Sequence, residues 1–219
     1  MYLFLEYGVF LVEGTSEVIF YKALAKENKI DLDRLNISIL SVEGIGFKPY
    51  IKVCKALNIP WVLRTDNDVF KNTQNESYYA GIDRAIGIIK DCNLSYDVPS
   101  VYQNECKKWS GDSVPSDIKD SNDKMRESLK NAGIYMSKMD LENDLAKSNL
   151  NDTLNDYYDI QESDVAKLVS EMQKRKAENM FKFIQKEHSN LVKLQNDELI
   201  EPIFDIVNKV KNQVQPNGK

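Results

Sequence analysis

Gly8-Val9-Phe10-Leu11-Val12-Glu13-Gly14-Thr15-Ser16-Glu17 is the stretch on which the fold turns. Its first half is a short apolar run with β-branched and aromatic residues, bounded by a glycine turn, and reads as a buried strand over 8–13. Residues 16–26 read as the helix that follows, with Val18, Tyr21, Leu24 and Ala25 forming much of its apolar face. Residues 36–42 (Asn-Ile-Ser-Ile-Leu-Ser-Val) repeat the strand signal. Gly44-Ile45-Gly46 then makes a tight turn into a helix running to about residue 57. It lacks the further glycine or the Lys-Ser/Thr of a phosphate-binding loop. Residues 60–65 (Pro-Trp-Val-Leu-Arg-Thr) are a third strand, ending at Asp66-Asn67-Asp68. Strand, helix, strand, helix, strand predicts a parallel sheet with right-handed crossovers and helices packed on it. In such sheets the functional crevice lies at the carboxyl ends of the strands, where this reading puts Glu13 and Asp66.

Farther along, 70–80 reads as a polar excursion, 81–90 as a helix, 97–103 as a short strand and 109–117 as a loop. A helix is expected over 118–131 and a strand over 133–139, with Asp140-Leu141-Glu142 ending it and starting a helix. Helices are expected over 163–175, 178–186 and 196–212, with Pro202 bending or restarting the last. Leu199, Ile200, Ile203, Ile206, Val207 and Val210 recur at helical spacing, the mark of a core or partner-packing face. Residues 213–219 read as a frayed tail.

At 219 residues, 42% hydrophobic and 29% charged, the chain suits a soluble globular protein of one domain with an appendage, or two small ones. No apolar run approaches the roughly 20 residues of a membrane span. Residues 1–5 are apolar but lack a basic start, and Glu6 breaks them; they make a poor signal peptide, and a cytoplasmic protein is expected. Cys54, Cys92 and Cys106 contain no CxxC pair, which argues against a disulfide framework or zinc ribbon. His188 is the sole histidine and sits in a polar stretch, so two-histidine zinc chemistry is excluded and a surface role expected. Any chemistry therefore falls to carboxylates, lysine and a hard metal. The net charge of −5 argues mildly against a dedicated nucleic-acid binder, a balance that bound cations and a local basic patch can reverse.

Glu13 closes an apolar strand, and Glu17 lies in the first helical turn beyond Gly14. An acid there is favoured by the helix dipole, which accounts for Glu17 alone but not for Glu13. Asp66 and Asp68 are two apart on an extended segment and face the same side. Two such charges repel by roughly 1 kcal/mol at about 4 Å in water, and by more where shielded. A divalent cation with oxygen ligands offsets that repulsion; a solvated Asp/Asn turn is the plainer alternative.

Val12-Glu13-Gly14-Thr15-Ser16-Glu17, Gly44-Ile45-Gly46-Phe47 and Ile59-Pro60-Trp61-Val62-Leu63-Arg64-Thr65-Asp66-Asn67-Asp68 together resemble the Toprim fold, most closely its OLD-family (overcoming lysogenization defect) version, which includes the nuclease subunit of Gabija-type phage defence. The resemblance runs from about residue 10 to about 184. It implies an α/β, Rossmann-like parallel sheet flanked by helices, with a Toprim catalytic domain over 1–160. A helical C-terminal region over 161–219 would complete the site and contact partners. It implies a divalent-metal-dependent endonuclease hydrolysing DNA, by nicking or cleaving, in anti-phage defence. Mg²⁺ or Mn²⁺, two ions, would be held by Glu13, Glu17, Asp66, Asp68 and Glu142, the last matched through Asp140-Leu141-Glu142. Glu13 would also take part in proton transfer, and a helix lysine, Lys176 in preference to Lys174, would stabilise transition-state charge. No tyrosine is recognisably placed as a transesterifying nucleophile, which favours hydrolysis over rejoining. Residues 167–193 carry seven Lys or Arg, and Lys174, Arg175, Lys176 and Lys182 there are the expected DNA contacts. The family's ABC-type ATPase has no counterpart here, for no Walker A motif is present. ATP control is thus expected from an ATPase domain or subunit docking on the apolar face around 199–210, in an oligomer. The alternatives are a non-catalytic Toprim module binding nucleic acid or protein, and an RNA-processing Toprim nuclease.

Overall fold

The computed structural model describes residues 7–96, 98, 102, 107–160 and 164–214. The decisive run is β1 (Gly8–Val12), and all its residues are buried. A strand covered on both faces needs no polar alternation. Phe10 and Val12 enter one apolar cluster, with Phe20, Tyr21 and Leu24 of α1 (Thr15–Glu27), while Val9 and Leu11 enter another, with Phe47 and Ile51 of α2 (Phe47–Ala56). β2 (Ile37–Ser41), β3 (Trp61–Thr65) and β7 (Ile134–Met136) complete a four-stranded sheet of order β2-β1-β3-β7, every pairing parallel. The chain steps outward from β1 to β2, then returns past β1 to β3. Its winding direction therefore reverses between β1 and β3, and the loops leaving their carboxyl ends part to form a crevice. Glu13 and Asp66 stand at the two sides of that reversal.

Between β3 and β7 the chain forms β4 (Val69–Lys71), β5 (Ser77–Tyr79), α3 (Ala80–Asp91), β6 (Lys108–Trp109) and α4 (Ser116–Leu129). The stretch expected as a polar excursion is in fact a hairpin, and with β6 it makes a small antiparallel sheet, β4-β5-β6. Its turn is held locally: the Asn72 side chain accepts from the backbone N–H of Gln74 and Glu76, and Asn75 adopts φ 61°. Tyr79 packs on Trp109, ring centroids 5.3 Å apart, which draws Trp109 out of its expected loop. The strand expected over 97–103 lies outside the described residues apart from positions 98 and 102.

Beyond β7 come α5 (Leu141–Leu145), α6 (Asn151–Tyr158), α7 (Val165–Gln173), α8 (Lys176–Glu187), 3-10 turns at His188–Leu194 and Glu198–Ile200, and α9 (Glu201–Val214). Pro202 stands in the first turn of α9, where its missing N–H costs nothing, so the helix restarts there. The expected docking face on this helix is not available. Leu199, Ile200, Ile203, Ile206, Val207 and Val210 are all buried and share a cluster with Phe10, Val12 and Val62. The physical reason is that β1 and β3 need a cover on this side, and α9 supplies it. Gly8 permits the close approach, since a Cβ there would stand 2.5 Å from Val210 Cγ2. Cys54 and Cys92 are buried free thiols, and Cys106 lies outside the described residues. His188 is exposed and pairs with Glu27. Among the described residues no helix is long and apolar enough to cross a membrane.

Truncating Ile206 to alanine should lower unfolding free energy by about 2–5 kcal/mol, the usual range for a buried isoleucine. Urea denaturation checks this; an unchanged midpoint would mean that α9 is a detachable docking element.

Candidate active site

Three strand ends and one helix start build the site. Glu13 leaves β1, and its Oε1 accepts from the Asp66 backbone N–H at 3.0 Å, from Arg84 Nη1 at 2.7 Å and from the Thr65 hydroxyl. Arg84 reaches over from α3 and also donates to the Asp66 carbonyl at 3.1 Å and to Thr65 Oγ1. One guanidinium therefore ties the end of β1 to the end of β3.

Glu17 shares its carboxylate between two tasks. Oε2 accepts from the Gly14 N–H at 2.8 Å and caps α1. Oε1 is buried, has no hydrogen-bond partner and lies 4.0 Å from Arg64 Nη1. Arg64 is buried beneath the site, paired with Asp144 at 2.7 Å and set over the Tyr21 ring.

Asn67 explains how Asp66 and Asp68 are held. It is fully buried, between two acids that are not. Its backbone N–H donates to the Met139 carbonyl at 2.6 Å, its Nδ2 to Asn122 Oδ1 at 2.9 Å, and its Oδ1 accepts from the Ile82 N–H at 3.2 Å. The start of α3 lies so close that a Cβ on Gly81 would stand 2.8 Å from the Asn67 Cα. The aspartates are thus the half-buried shoulders of a clamped loop.

The last strand end, after β7, brings Asp140 and Glu142. Asp140 caps α5 by accepting from the Asn143 N–H at 2.7 Å, and its other oxygen accepts from Gln173 Nε2 at 2.7 Å. Glu142 is buried and pairs with Lys176 Nζ at 3.0 Å. Lys176 opens α8 directly after Arg175, whose left-handed backbone (φ 47°) breaks the chain direction between α7 and α8.

Burial and mutual repulsion keep these acids away from their ordinary behaviour. Burial raises Glu17 to about 8; Arg64 opposes, while Asp66 and Glu13 add. Burial, then the Glu13 charge, raises Asp66 to about 7 against Arg64 and Lys176. Asp68 is raised by burial and by Glu13 and Asp140. Burial works against the Lys176 charge, but Glu142, Asp66 and Asp140 outweigh it and hold the ammonium above its ordinary value.

Of the residues named from sequence, Glu13, Glu17, Asp66, Asp68, Glu142 and Lys176 form this one coupled group. Lys174, Arg175 and Lys182 lie outside it, exposed and paired with Glu171 or Glu178 on their own surface. Arg64, Thr65 and Asp140 stand within the sequence motifs but carry no role there, and Arg84 carries no local sequence signal at all. The donor set is entirely carboxylate oxygen, which suits a hard divalent ion, and Glu17 Oε1 is an orphaned oxygen within it. Among the described residues no three acids enclose a finished cation cage; Arg84 stands on Glu13 and Lys176 on Glu142.

An acid raised on folding stabilises the fold below its unfolded value and loses that contribution as pH climbs through its folded value. For Glu17 and Asp66 the window runs from the ordinary carboxylate values of 4.5 and 3.8 up to about 8 and 7. Metal-free protein should therefore lose thermal stability from acid to mildly alkaline pH. Glu17→Gln should flatten that decline and melt above the parent chain at the alkaline end, as calorimetry across the range would read. Gly81→Ala should destabilise the chain by roughly 1–3 kcal/mol through overpacking against the Asn67 backbone, measured by urea midpoint.

Residues 4–68, a stretch that takes in β1 through Asp68, match the family described as Overcoming lysogenization defect protein-like, TOPRIM domain. Endonuclease GajA of Bacillus cereus (strain VD045) is 29% identical over 143 residues, 63% of this chain and 25% of that protein. The chain thus spans about a quarter of that relative's length. Among solved structures, the C-terminal region of the Xanthomonas campestris pv. campestris OLD protein superposes with a TM-score of 0.62 at 20% identity, covering 97% of this chain and 99% of that one. The C-terminal region of the Burkholderia pseudomallei OLD protein gives 0.55 at 20% identity, covering 97% and 100%. The chain thus resembles the OLD-like TOPRIM family over its first third and shares the fold of the OLD C-terminal region along nearly all its length.

Proposed function

We propose that this chain is a divalent-metal-dependent endonuclease that hydrolyses DNA phosphodiester bonds, acting with an ATPase domain or subunit in anti-phage defence. The observation that carries the reading is the Glu17–Asp66 pair at the sheet's reversal point. Both acids are largely out of water and raised to about 8 and 7, and one oxygen of Glu17 is buried without a hydrogen-bond partner among the described residues. An added cation offsets both penalties at once.

In this reading Glu13, Glu17, Asp66, Asp68 and Glu142 would hold Mg²⁺ or Mn²⁺, two ions. When bound, such ions activate water near neutral pH and relieve charge on the departing oxygen. Glu13, oriented by Arg84 and the Asp66 N–H, accepts the proton of the attacking water. Lys176 is held protonated by Glu142 and faces the acids, so it offers a fixed positive charge to the phosphate as negative charge develops. The region beyond residue 160 completes the site by supplying that lysine. Lys174, Arg175 and Lys182 take the DNA backbone outside the site; their present partners are exposed acids on the same surface, which salt and phosphate displace readily. Because α9 is committed to the core, an ATPase partner docks elsewhere. The name of the GajA relative, an endonuclease, agrees with this reading.

Supercoiled plasmid incubated with Mg²⁺, Mn²⁺ or EDTA tests it. The expected result is metal-dependent nicking or linearisation, abolished in Asp66→Ala. Lys176→Ala should slow turnover by roughly 10²–10³-fold, the scale of losing one charge-stabilising donor. Absence of cleavage with either metal, with and without an ATPase partner, would sink the nuclease reading in favour of a binding module.

A further inference from the structure

The parallel sheet ends on β7 at one edge and on β2 at the other, and the two edges are finished differently. The Ser137 N–H donates to the Thr65 carbonyl and the Gly133 carbonyl accepts from Leu63, so odd-numbered residues of β7 face β3 and Met136 turns its backbone outward. There the Met136 carbonyl accepts from Arg126 Nε at 3.1 Å and Nη2 at 2.8 Å, and the Ser137 carbonyl accepts from the same Nε. Arg126 is buried, so a side chain of α4 closes that edge. At β2 the Asn36 carbonyl accepts from the Gly8 N–H, and the Val42 N–H donates to the Val12 carbonyl. Even-numbered residues therefore spend their backbone on β1, and Ile37, Ile39 and Ser41 turn theirs outward. The Ile37 N–H donates to the Leu32 carbonyl at 3.0 Å. Beyond it, the Ile39 N–H and carbonyl and the Ser41 N–H meet no partner among the described residues.

A groove of about 730 Å³ runs along this open edge, lined by Ile30, Ile37 and Ile39 together with Lys22, Lys26 and Lys29. Lys22 and Lys26 lie one turn apart on α1, and Lys29 continues the row in the turn that follows. All three lysines are exposed, and none enters an ion pair among the described residues. Asp31 and Asp33 also line the groove, before β2 begins. Asp31 is engaged with the Arg34 N–H at 3.0 Å, and Arg34 adds a positive charge beside them. The local balance is therefore basic in a chain whose net charge is −5.

We propose that the open edge of β2 and the lysine row of α1 together dock an extended acidic segment of a partner protein, which joins the sheet as an added strand. The unspent backbone groups of Ile39 and Ser41 give it main-chain hydrogen bonds, the mode by which an extended peptide joins a sheet edge. Ile37 and Ile39 turn their side chains to the α1 side of the sheet, so every second residue of the added strand also faces α1. Acids at those positions meet Lys22, Lys26 and Lys29. The lysines weigh against a second copy as the occupant. Pairing two β2 edges about a two-fold axis puts both α1 helices on one side of the joined sheet and turns one lysine row toward the other. The inference stands apart from the nuclease reading and is tested without cleavage.

The test is fluorescence anisotropy of the full chain with a labelled peptide alternating glutamate and valine over about seven residues, the length of a strand. Two further probes are its lysine–valine counterpart and the glutamate peptide N-methylated at alternate residues, which cannot donate to an edge. The glutamate peptide should bind saturably and the lysine peptide should not. N-methylation should weaken binding about tenfold, as should the double variant Lys22→Glu with Lys26→Glu, the scale of removing edge hydrogen bonds or reversing two rim charges. Both substitutions are at exposed positions, and unfolding temperatures should match the parent. Four results overturn the proposal: no binding of the glutamate peptide, equal binding of both charge types, indifference to N-methylation, or indifference to the lysine reversals. A dimeric parent that becomes monomeric in the double variant gives the edge to a second copy instead. An oligothymidylate that binds in place of the peptide and is lost in the double variant gives the row to nucleic acid.

Discussion

Acids held out of water resist ionising, and resist one another. Glu17 and Asp66 bear that cost most plainly, and much of the surrounding structure holds them in place against it. Arg64 lies beneath them as a buried counter-charge, itself fixed by Asp144. Arg84 ties Glu13 to the end of β3, and Lys176 covers Glu142 from another helix. Each cation comes from a different element, so sheet, α3 and α8 must all be in place before the acids are restrained. The crevice and its charge are one problem solved jointly.

Positioning within that crevice depends on residues that take no part in its charge. Asn67 is neutral and sits between the two aspartates, yet its three hydrogen bonds reach three separate parts of the chain. Gly81 lets α3 close on it without a clash. A loop fixed by its middle residue can present both neighbours rigidly, and rigidity is what a carboxylate pair needs if it is not to relax apart.

Most of the core architecture is legible in the amino-acid order because β1 is short, wholly apolar and closed by glycine, and because acids at strand ends have no packing use there. Glu13, Asp66 and Asp68 stand out for that reason. Arg84 does not, since an arginine inside a helix is ordinary until the helix's rotation over the sheet is known. The β4–β5 hairpin escapes because three-residue strands are too short for alternation to show, and its turn is made from polar residues that also read as loop. The face on α9 is legible as apolar, a core or partner-packing face, but not which of the two it is. Helical periodicity tells which side of a helix avoids water, and is silent on whether the cover comes from the same chain.

That cover has a bearing on timing. Gly8 and Val210 pack together although they lie roughly 200 residues apart in sequence, the kind of contact that closes late and slowly. The strand that begins the crevice thus waits for a helix synthesised long after it. Until that helix arrives, the apolar face beneath Glu13 has nothing to rest on, and the charge cluster above it has no firm floor. Assembly of the acid cluster is thereby tied to the docking of α9 on β1.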